Sequence, residues 1–139
     1  MTDERESGWT LDPKYDANGL LTAVITDEAD GAVLMVGHMN AEALAKSMET
    51  RTAVFFSRSR QRLWQKGESS GNVLHIVDMR IDCDQDALWI IARPQGPTCH
   101  TGARSCSIKR SRRSAGLLKL MRLCWRSTAE RLLSTPIRS

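Results

Sequence analysis

The first half of the chain contains apolar segments of strand length that are separated by polar turns. Residues 20–26 and 32–36 are two such segments, and the turn-forming stretch 27–31 between them predicts a β-hairpin. Asn40 is a suitable N-cap for a helix over residues 41–49, because its side chain can accept a hydrogen bond from the first turn. This part of the chain therefore predicts a hairpin followed by one short helix.

The second half continues in the same way, apart from one irregular stretch. Residues 52–57, 73–81 and 87–92 predict three further strands, since apolar side chains recur there at strand spacing. In the second of them, we expect one face to carry Val73, His75, Val77, Met79 and Ile81. Residues 57–71 show neither strand nor helix periodicity and hold many cations, hydroxyls and glycines, so we interpret them as a functional loop. The pattern as a whole predicts an α+β fold, mostly antiparallel β-sheet with one or two helices.

The two ends of the chain differ from this body. Residues 1–16 are polar and charged and predict a flexible N-terminal segment, which leaves residues 17–108 as one folded domain. Residues 109–139 are rich in Arg, Ser and Lys, with apolar residues at helical spacing. We interpret this stretch as a basic tail that forms either an amphipathic helix or an irregular extension.

Charge is divided unevenly between the body and the tail. Residues 1–108 carry 11 Lys and Arg against 15 Asp and Glu, whereas residues 109–139 carry 9 against 1. The overall net charge of +4 therefore comes from the tail, and only the tail suggests nucleic acid as a partner. Because no apolar run approaches the roughly 20 residues of a membrane span, and no export signal is recognisable, we expect a cytoplasmic protein without membrane contact.

Asp82, Asp84 and Asp86 form the first candidate chemical site. In an extended chain, these three carboxylates lie on one side and Cys83 lies on the other. Their mutual repulsion is relieved by raised pKa values or by a hard cation, for which Mg²⁺ is a natural candidate. A solvated acidic turn is the alternative, and the spacing alone does not decide between the two.

Cysteines in polar loops supply the second candidate site. Cys83, Cys99 and Cys106 stand among Asp, His, Thr and Gly residues, where a reducing compartment favours metal ligands or nucleophiles over disulfides. Three thiolates would hold zinc with its fourth position open to water, which is the arrangement of a catalytic site. Two alternatives remain open at this point: His100 closes the site as a fourth ligand, or the thiols are simply buried. Cys124 has no such context, and we interpret it as a packing residue of the tail.

The irregular stretch 57–71 supplies the third candidate site, because guanidinium groups, hydroxyls and glycine amides are the groups that bind phosphate. A solvated charged face is the alternative to phosphate binding. Trp64, in the middle of the stretch, suits either stacking on a base or packing in the core. The candidate substrate-binding residues are Ser57, Arg58, Ser59, Arg60, Trp64, Lys66, Ser69, Ser70 and Gly71.

Three segments point to one known family when they are taken together. They are VLMVGHMN at 33–40, SRSRQRLWQKG at 57–67, and DCDQD at 82–86 followed by CHTG at 99–102 and SC at 105–106. In this combination they resemble the phosphoribosyl-AMP cyclohydrolase family of histidine biosynthesis. The resemblance extends from about residue 20 to residue 106, and the last group of motifs is highly specific.

The resemblance implies a zinc- and magnesium-dependent hydrolase that opens the adenine ring of N1-(5-phosphoribosyl)-AMP at its C6–N1 bond. The product is the phosphoribosyl-formimino carboxamide ribonucleotide. The resemblance further implies an intertwined homodimer in which Cys83 of one subunit and Cys99 and Cys106 of its partner are the zinc ligands.

The resemblance also assigns roles to the remaining candidates. It implies that Asp82, Asp84 and Asp86 bind magnesium, and it places His100 beside the zinc as the candidate proton shuttle. The chain departs from the family pattern at Asn72, where a histidine is usual, and its basic tail has no counterpart in that pattern.

Two other functions are consistent with parts of the sequence. A small zinc-stabilised module that binds nucleic acid through its tail would show salt-dependent binding that disappears when residues 109–139 are deleted. A zinc-dependent nucleobase deaminase would need His-x-Glu and Pro-Cys-x-x-Cys motifs, which the chain lacks. We therefore expect a small phosphoribosyl nucleotide as the substrate and do not expect nucleic acid as a partner.

Overall fold

Six strands and one helix make up the part of the chain that the structure describes, residues 8–109 of this computed structural model. In chain order they are β1 (Leu21–Asp27), β2 (Val33–Met39), α1 (Ala41–Thr50), β3 (Val54–Ser57), β4 (Arg62–Gln65), β5 (Leu74–Ile81) and β6 (Ala87–Pro94). The predicted amphipathic helix of the tail and Cys124 lie outside the described residues, as do the first seven residues of the predicted flexible segment.

Four of the strands form a mixed sheet in the order β2-β1-β6-β5, and β3 and β4 form a separate two-stranded hairpin. The β1–β2, β5–β6 and β3–β4 pairs are antiparallel, whereas β1 and β6 run parallel in the centre of the larger sheet. The predicted α+β fold with a mostly antiparallel sheet is therefore confirmed, with one parallel pair as the exception.

The core lies between the larger sheet, α1 and the hairpin. Leu21, Ala23 and Ile25 alternate along β1 and are fully buried, as the period of a strand requires. Ser47 of α1 is also fully buried, and its hydroxyl accepts the N–H of Val54 at 3.0 Å and donates to the Val54 carbonyl at 3.2 Å. This exchange ties α1 to β3 without leaving the buried hydroxyl unpaired.

The helix matches its sequence signals. Asn40 has extended backbone angles, and its side-chain Oδ1 accepts the N–H of Ala43 at 2.8 Å, which is the predicted N-cap. Arg51 ends the helix in the left-handed conformation at φ 56°. The part of the chain with described structure has no helix that is both long and apolar enough to cross a bilayer.

The stretch interpreted as a loop contains a strand, β4. Its residues Leu63 and Trp64 are partly buried and pack against the core, while Arg62 pairs with Ser57 of β3. Because charged and polar residues flank Leu63 and Trp64 on both sides, the sequence shows no strand periodicity here.

β5 changes the face that it presents to the core. Leu74 and Ile76 are buried, but the register shifts between Ile76 and Asp78, and Val77 is 44% exposed. Met79 and Ile81 then pack against the core. The bulge shifts the alternation by one residue, so the single apolar face expected from Val73 to Ile81 is wrong.

Candidate active site

The turn between β5 and β6 brings Asp82, Asp84 and Asp86 together, with one carboxylate oxygen of each within 4.8 Å of the others. A tight turn produces this cluster. Gln85 adopts φ 61°, and Asp82 Oδ1 accepts the N–H groups of Asp86 and Ala87 at 3.0 and 3.1 Å. The predicted grouping is therefore confirmed, but the extended conformation from which it was predicted is wrong.

Negative charges lie close together in this turn, and they raise the pKa of Asp86. The carboxylate of Asp84 is the largest cause that raises the pKa of Asp86, and partial burial and Asp82 add to it. Oxygen ligands at this spacing suit a hard cation such as Mg²⁺. Among the described residues, no other group of three His, Cys, Asp or Glu side chains lies close enough to hold one ion.

Gln85 fixes the aspartate turn to the N-terminal segment. Its side-chain Oε1 accepts the N–H of Asp12 at 2.7 Å, its Nε2 donates to the carbonyl of Thr10 at 3.2 Å, and its own carbonyl accepts the N–H of Lys14 at 2.8 Å. Gln85 is only 3% exposed. Gln85 therefore ties the aspartate turn to residues 10–14 by three hydrogen bonds.

Cys99 and Cys106 belong to one short loop that follows β6. The N–H of Cys99 donates to the carbonyl of Ala103 at 3.0 Å, and the N–H of Cys106 donates to the carbonyl of Leu34 in β2 at 2.8 Å. The two thiols are close enough to influence each other's pKa through hydrogen bonding and charge. The loop therefore gathers two of the three predicted zinc ligands in one chain.

The surroundings of these thiols favour a thiolate at Cys99. The Thr101 hydroxyl lies 3.1 Å from Cys99 Sγ and is the largest cause that lowers the pKa of Cys99. Partial burial, followed by the charge of Cys99, raises the pKa of Cys106. The positive charge of Lys66 adds to the lowering of the Cys99 pKa and partly opposes the rise of the Cys106 pKa. Two cysteine thiols held side by side are donors that zinc prefers, so the pair fits zinc by its donor chemistry.

Cys83 lies elsewhere, exposed in the aspartate turn. Within the described part of one chain, no three thiols come within the reach of a single ion. Cys83, Cys99 and Cys106 are all free thiols. One chain thus supplies a pair of ligands at one place and a single cysteine at another.

His100 is exposed and stands next to the cysteine pair. Its Nδ1 lies 3.9 Å from Cys99 Sγ. The ring makes no hydrogen bond through Nε2 to residues 8–109. The structure therefore brings His100, Cys99 and Cys106 together.

The predicted phosphate-binding residues separate into three places. Ser57, Ser59 and Arg60 cluster at the β3–β4 turn, where Ser57 Oγ accepts the backbone N–H of Arg60 at 3.3 Å and lies 3.4 Å from Ser59 Oγ. Arg58 belongs to the same exposed turn. This cluster presents hydroxyl and guanidinium groups together on the surface.

Ser69, Ser70 and Gly71 form the second place, an exposed loop in which Gly71 has φ 76° and its N–H donates to the carbonyl of Gly67 at 2.8 Å. Lys66, whose positive charge acts on the pKa of both thiols, is the third. Trp64 packs on Phe55 with ring centroids 5.1 Å apart, which favours the packing interpretation of this residue; a contact with substrate stays a prediction.

Two residues near the cysteine loop, Asn72 and Arg104, make contacts that the sequence did not predict. Asn72 fills the space beside Gly96, where the side-chain amide of Asn72 leaves no room for a Cβ, and its backbone approaches Gly67. Arg104 pairs with Asp27 and Asp30 of the β1–β2 turn. Both contacts join segments that are far apart in sequence, so no local pattern predicts them.

Comparisons with known proteins agree with this arrangement. The family model for phosphoribosyl-AMP cyclohydrolase matches residues 35–108. A protein of that name from Rhizorhabdus wittichii is 63% identical over 110 residues, which cover 79% of this chain and 89% of that protein. Proteins of the same name from Rhodopseudomonas palustris and Zymomonas mobilis are 55% and 53% identical, covering 81% and 76% of this chain and 77% and 86% of their own. On this similarity and this set of residues, the chain belongs to the phosphoribosyl-AMP cyclohydrolase family.

Proposed function

We propose that this chain hydrolyses N1-(5-phosphoribosyl)-AMP, opening the adenine ring between C6 and N1 in histidine biosynthesis. One observation carries the proposal: the cysteine loop brings Cys99, Cys106 and His100 together. Family membership supports the substrate, and the thiol pair supports a metal-assisted hydrolysis.

Two metal sites complete the proposal. Cys99 and Cys106 would hold zinc together with a Cys83, and Asp82, Asp84 and Asp86 would hold magnesium. Zinc held by these cysteines would supply Lewis-acid chemistry for the hydrolysis. Magnesium beside the aspartates would balance the charge of the substrate phosphates.

The residues of the chain would orient the substrate and move its protons. His100 Nε2 is free to deliver a proton to the departing N1, because its Nδ1 faces Cys99. Lys66 and the Ser57–Arg60 turn would bind phosphate oxygens and convert that binding energy into alignment of C6. No ammonia leaves in this reaction, which distinguishes it from deamination.

The third zinc ligand would come from the partner subunit of a homodimer. Cys83 is exposed in the aspartate turn, whereas Cys99 and Cys106 form a pair in another loop. A site that takes Cys83 of one subunit and the pair of the other would join the two metal sites at the subunit interface.

The activity is tested with purified full-length protein and phosphoribosyl-AMP, followed by absorbance with and without a chelator. We expect turnover that stops when zinc is removed and returns when zinc is added. Cys99→Ser should lose zinc and turnover together, whereas the matched control Cys124→Ser should keep both. Full turnover in a zinc-free protein would contradict the proposal.

The sharing of zinc ligands is tested by mixing two inactive variants. In a mixed dimer of Cys83→Ser and Cys99→Ser subunits, one of the two sites regains a complete set of cysteines. Random exchange of subunits should therefore restore about a quarter of wild-type activity. If all three ligands came from one chain, the mixture would stay inactive.

His100→Ala separates the two roles that the sequence left open for this residue. As a proton shuttle, His100 can be removed with zinc retained and with kcat reduced by about 10²–10⁴-fold. Zinc content measured by elemental analysis provides the control. Loss of zinc would instead assign His100 as a fourth ligand of a closed site.

A further inference from the structure

Arg104 joins the cysteine loop to the turn between β1 and β2. Its Nη2 donates to Asp27 Oδ2 at 2.8 Å and to Asp30 Oδ1 at 2.7 Å. Arg104 stands between the two cysteines in sequence, two residues before Cys106. One guanidinium nitrogen therefore connects the loop that holds the thiols to two carboxylates of a distant turn.

Asp27, which accepts one of these hydrogen bonds, is itself held in place by hydrogen bonds within its own turn. Asp27 is only 6% exposed, and its Oδ1 accepts the N–H of Ala29 at 2.9 Å. The backbone of Asp27 also accepts the N–H of Gly31 at 2.8 Å and donates to the carbonyl of Ala32 at 2.9 Å. Asp27 is thus held rigidly, and Arg104 is the cation that pairs with it among the described residues.

Arg104 contacts both arms of the cysteine loop, the one that leads into Cys99 and the one that leads into Cys106. The carbonyl of Arg104 accepts the N–H of Thr98 at 3.2 Å, so Arg104 faces the residue before Cys99 across the loop. Immediately after it, Ser105 Oγ donates to the carbonyl of Val33 at 2.6 Å, and Cys106 donates to Leu34. Arg104 therefore lies at the junction between the arm that carries Cys99 and the arm that carries Cys106.

We propose that Arg104 is a positioning residue which, by bridging Asp27 and Asp30, holds Cys106 beside Cys99 and so sets the metal affinity of the pair. The inference rests on the zinc ligands named in the proposed function. Partners that orient metal ligands in this way contribute about 10–100-fold to metal affinity when measured by mutation. Arg104 touches neither substrate nor metal in this proposal.

The test measures Co²⁺ and Zn²⁺ binding to the full-length protein by competition with a chelator, with the thiolate–Co²⁺ absorption as a second readout. Arg104→Met should weaken binding by about 10–100-fold and alter the absorption band, and Arg104→Lys should restore part of the affinity. Arg93→Met is the matched control, because Arg93 pairs with Glu28 in the same turn but lies outside the cysteine loop. We expect wild-type metal binding in Arg93→Met.

Each outcome decides a different point. Wild-type affinity and absorption in a folded Arg104→Met protein would overturn the inference, and so would an equal loss in Arg93→Met. If Arg104→Met does not fold, Asp30→Asn decides, because Asp30 is half-exposed and the change removes the negative charge from one arm of the bridge while Asp27 keeps its own. A several-fold loss of affinity in Asp30→Asn supports the inference, and no loss overturns it.

Cys99→Ser separates this inference from the proposed function. If Cys99→Ser binds Co²⁺ as tightly as wild type, the zinc assignment falls, and the inference falls with it. If Cys99→Ser loses binding while Arg104→Met keeps it, only the role of Arg104 is overturned.

Discussion

Thr98 carries a buried hydroxyl that finds no hydrogen-bond partner in the described part of the chain. The residue is 1% exposed and directly precedes Cys99, and its backbone N–H is already used by Arg104. An unpaired buried hydroxyl costs about 1–3 kcal/mol relative to one that is satisfied. The Thr98 hydroxyl therefore lowers the free energy of unfolding relative to an apolar side chain of the same shape.

We expect Thr98→Val to raise the free energy of unfolding by about 1 kcal/mol, because valine has the same shape without the polar atom. Urea unfolding of the full-length protein measures the change. Thr98→Ser is the matched control: it keeps the hydroxyl and loses the methyl group, so it should lower stability by about 1 kcal/mol. A less stable Thr98→Val protein would mean that the hydroxyl has a partner in solution.

Residue types in the motifs predicted the candidate ligands, but not the contacts that hold them. Asp82, Cys99 and His100 could be chosen because their chemistry is characteristic at short spacing. Gln85 and Arg104 act through partners about 75 residues away in sequence, and a single sequence contains no signal for such pairings.

At the scale of elements, strand β2 packs against β3 of the β3–β4 hairpin at Gly37. A Cβ at this position would lie 2.6 and 2.8 Å from the ring carbons Cδ1 and Cε1 of Phe55. Phe55 is fully buried, so its ring has little room to move. Glycine is therefore required here for close packing of β2 on β3, and not for its backbone freedom.

We expect Gly37→Ala to lower the free energy of unfolding by about 1–3 kcal/mol through overpacking. Denaturant unfolding measures the loss. Phe55→Leu serves as the background for a double-mutant cycle, because a smaller side chain removes the clash. The same Gly37→Ala change should cost less in that background, and an equal cost in both would contradict the steric explanation.

Elements were predicted well where one periodicity extends over several residues. The hairpin of β1 and β2, helix α1 and strand β6 all begin and end within a few residues of the sequence prediction. β4 was missed because it has four residues among charges, and the face of β5 was wrong because a bulge changes the alternation. Short strands and bulges are stabilised by their neighbours, which the local sequence does not describe.

At the scale of the whole molecule, the Asp27–Arg104 pair makes stability depend on pH. Hydrogen bonding from Arg104 holds the pKa of Asp27 below its ordinary value in the folded chain. The unfolded chain therefore binds more protons as the pH falls toward about 4, so the contribution of this pair is present above that pH and lost below it.

We expect Asp27→Asn to lower the free energy of unfolding by about 1–2 kcal/mol at pH 7 and to weaken its fall between pH 5 and about pH 3. Unfolding curves at each pH, recorded with a chelator so that metal release does not contribute, measure both effects. Arg104→Met should reduce the same acid dependence. An unchanged pH profile in both variants would contradict the role of this pair.

The sequence by itself determined the fold class, the helix with its cap, and which side chains are candidates to bind metal, since these depend on local periodicity and on side-chain chemistry. Only the tertiary structure decided how those residues are grouped. It separates Cys83 from the Cys99 and Cys106 pair, builds the aspartate cluster with a left-handed Gln85, and anchors the cysteine loop through Arg104. Such groupings arise from packing between distant segments, whose free energy depends on the whole chain and not on any short stretch of it.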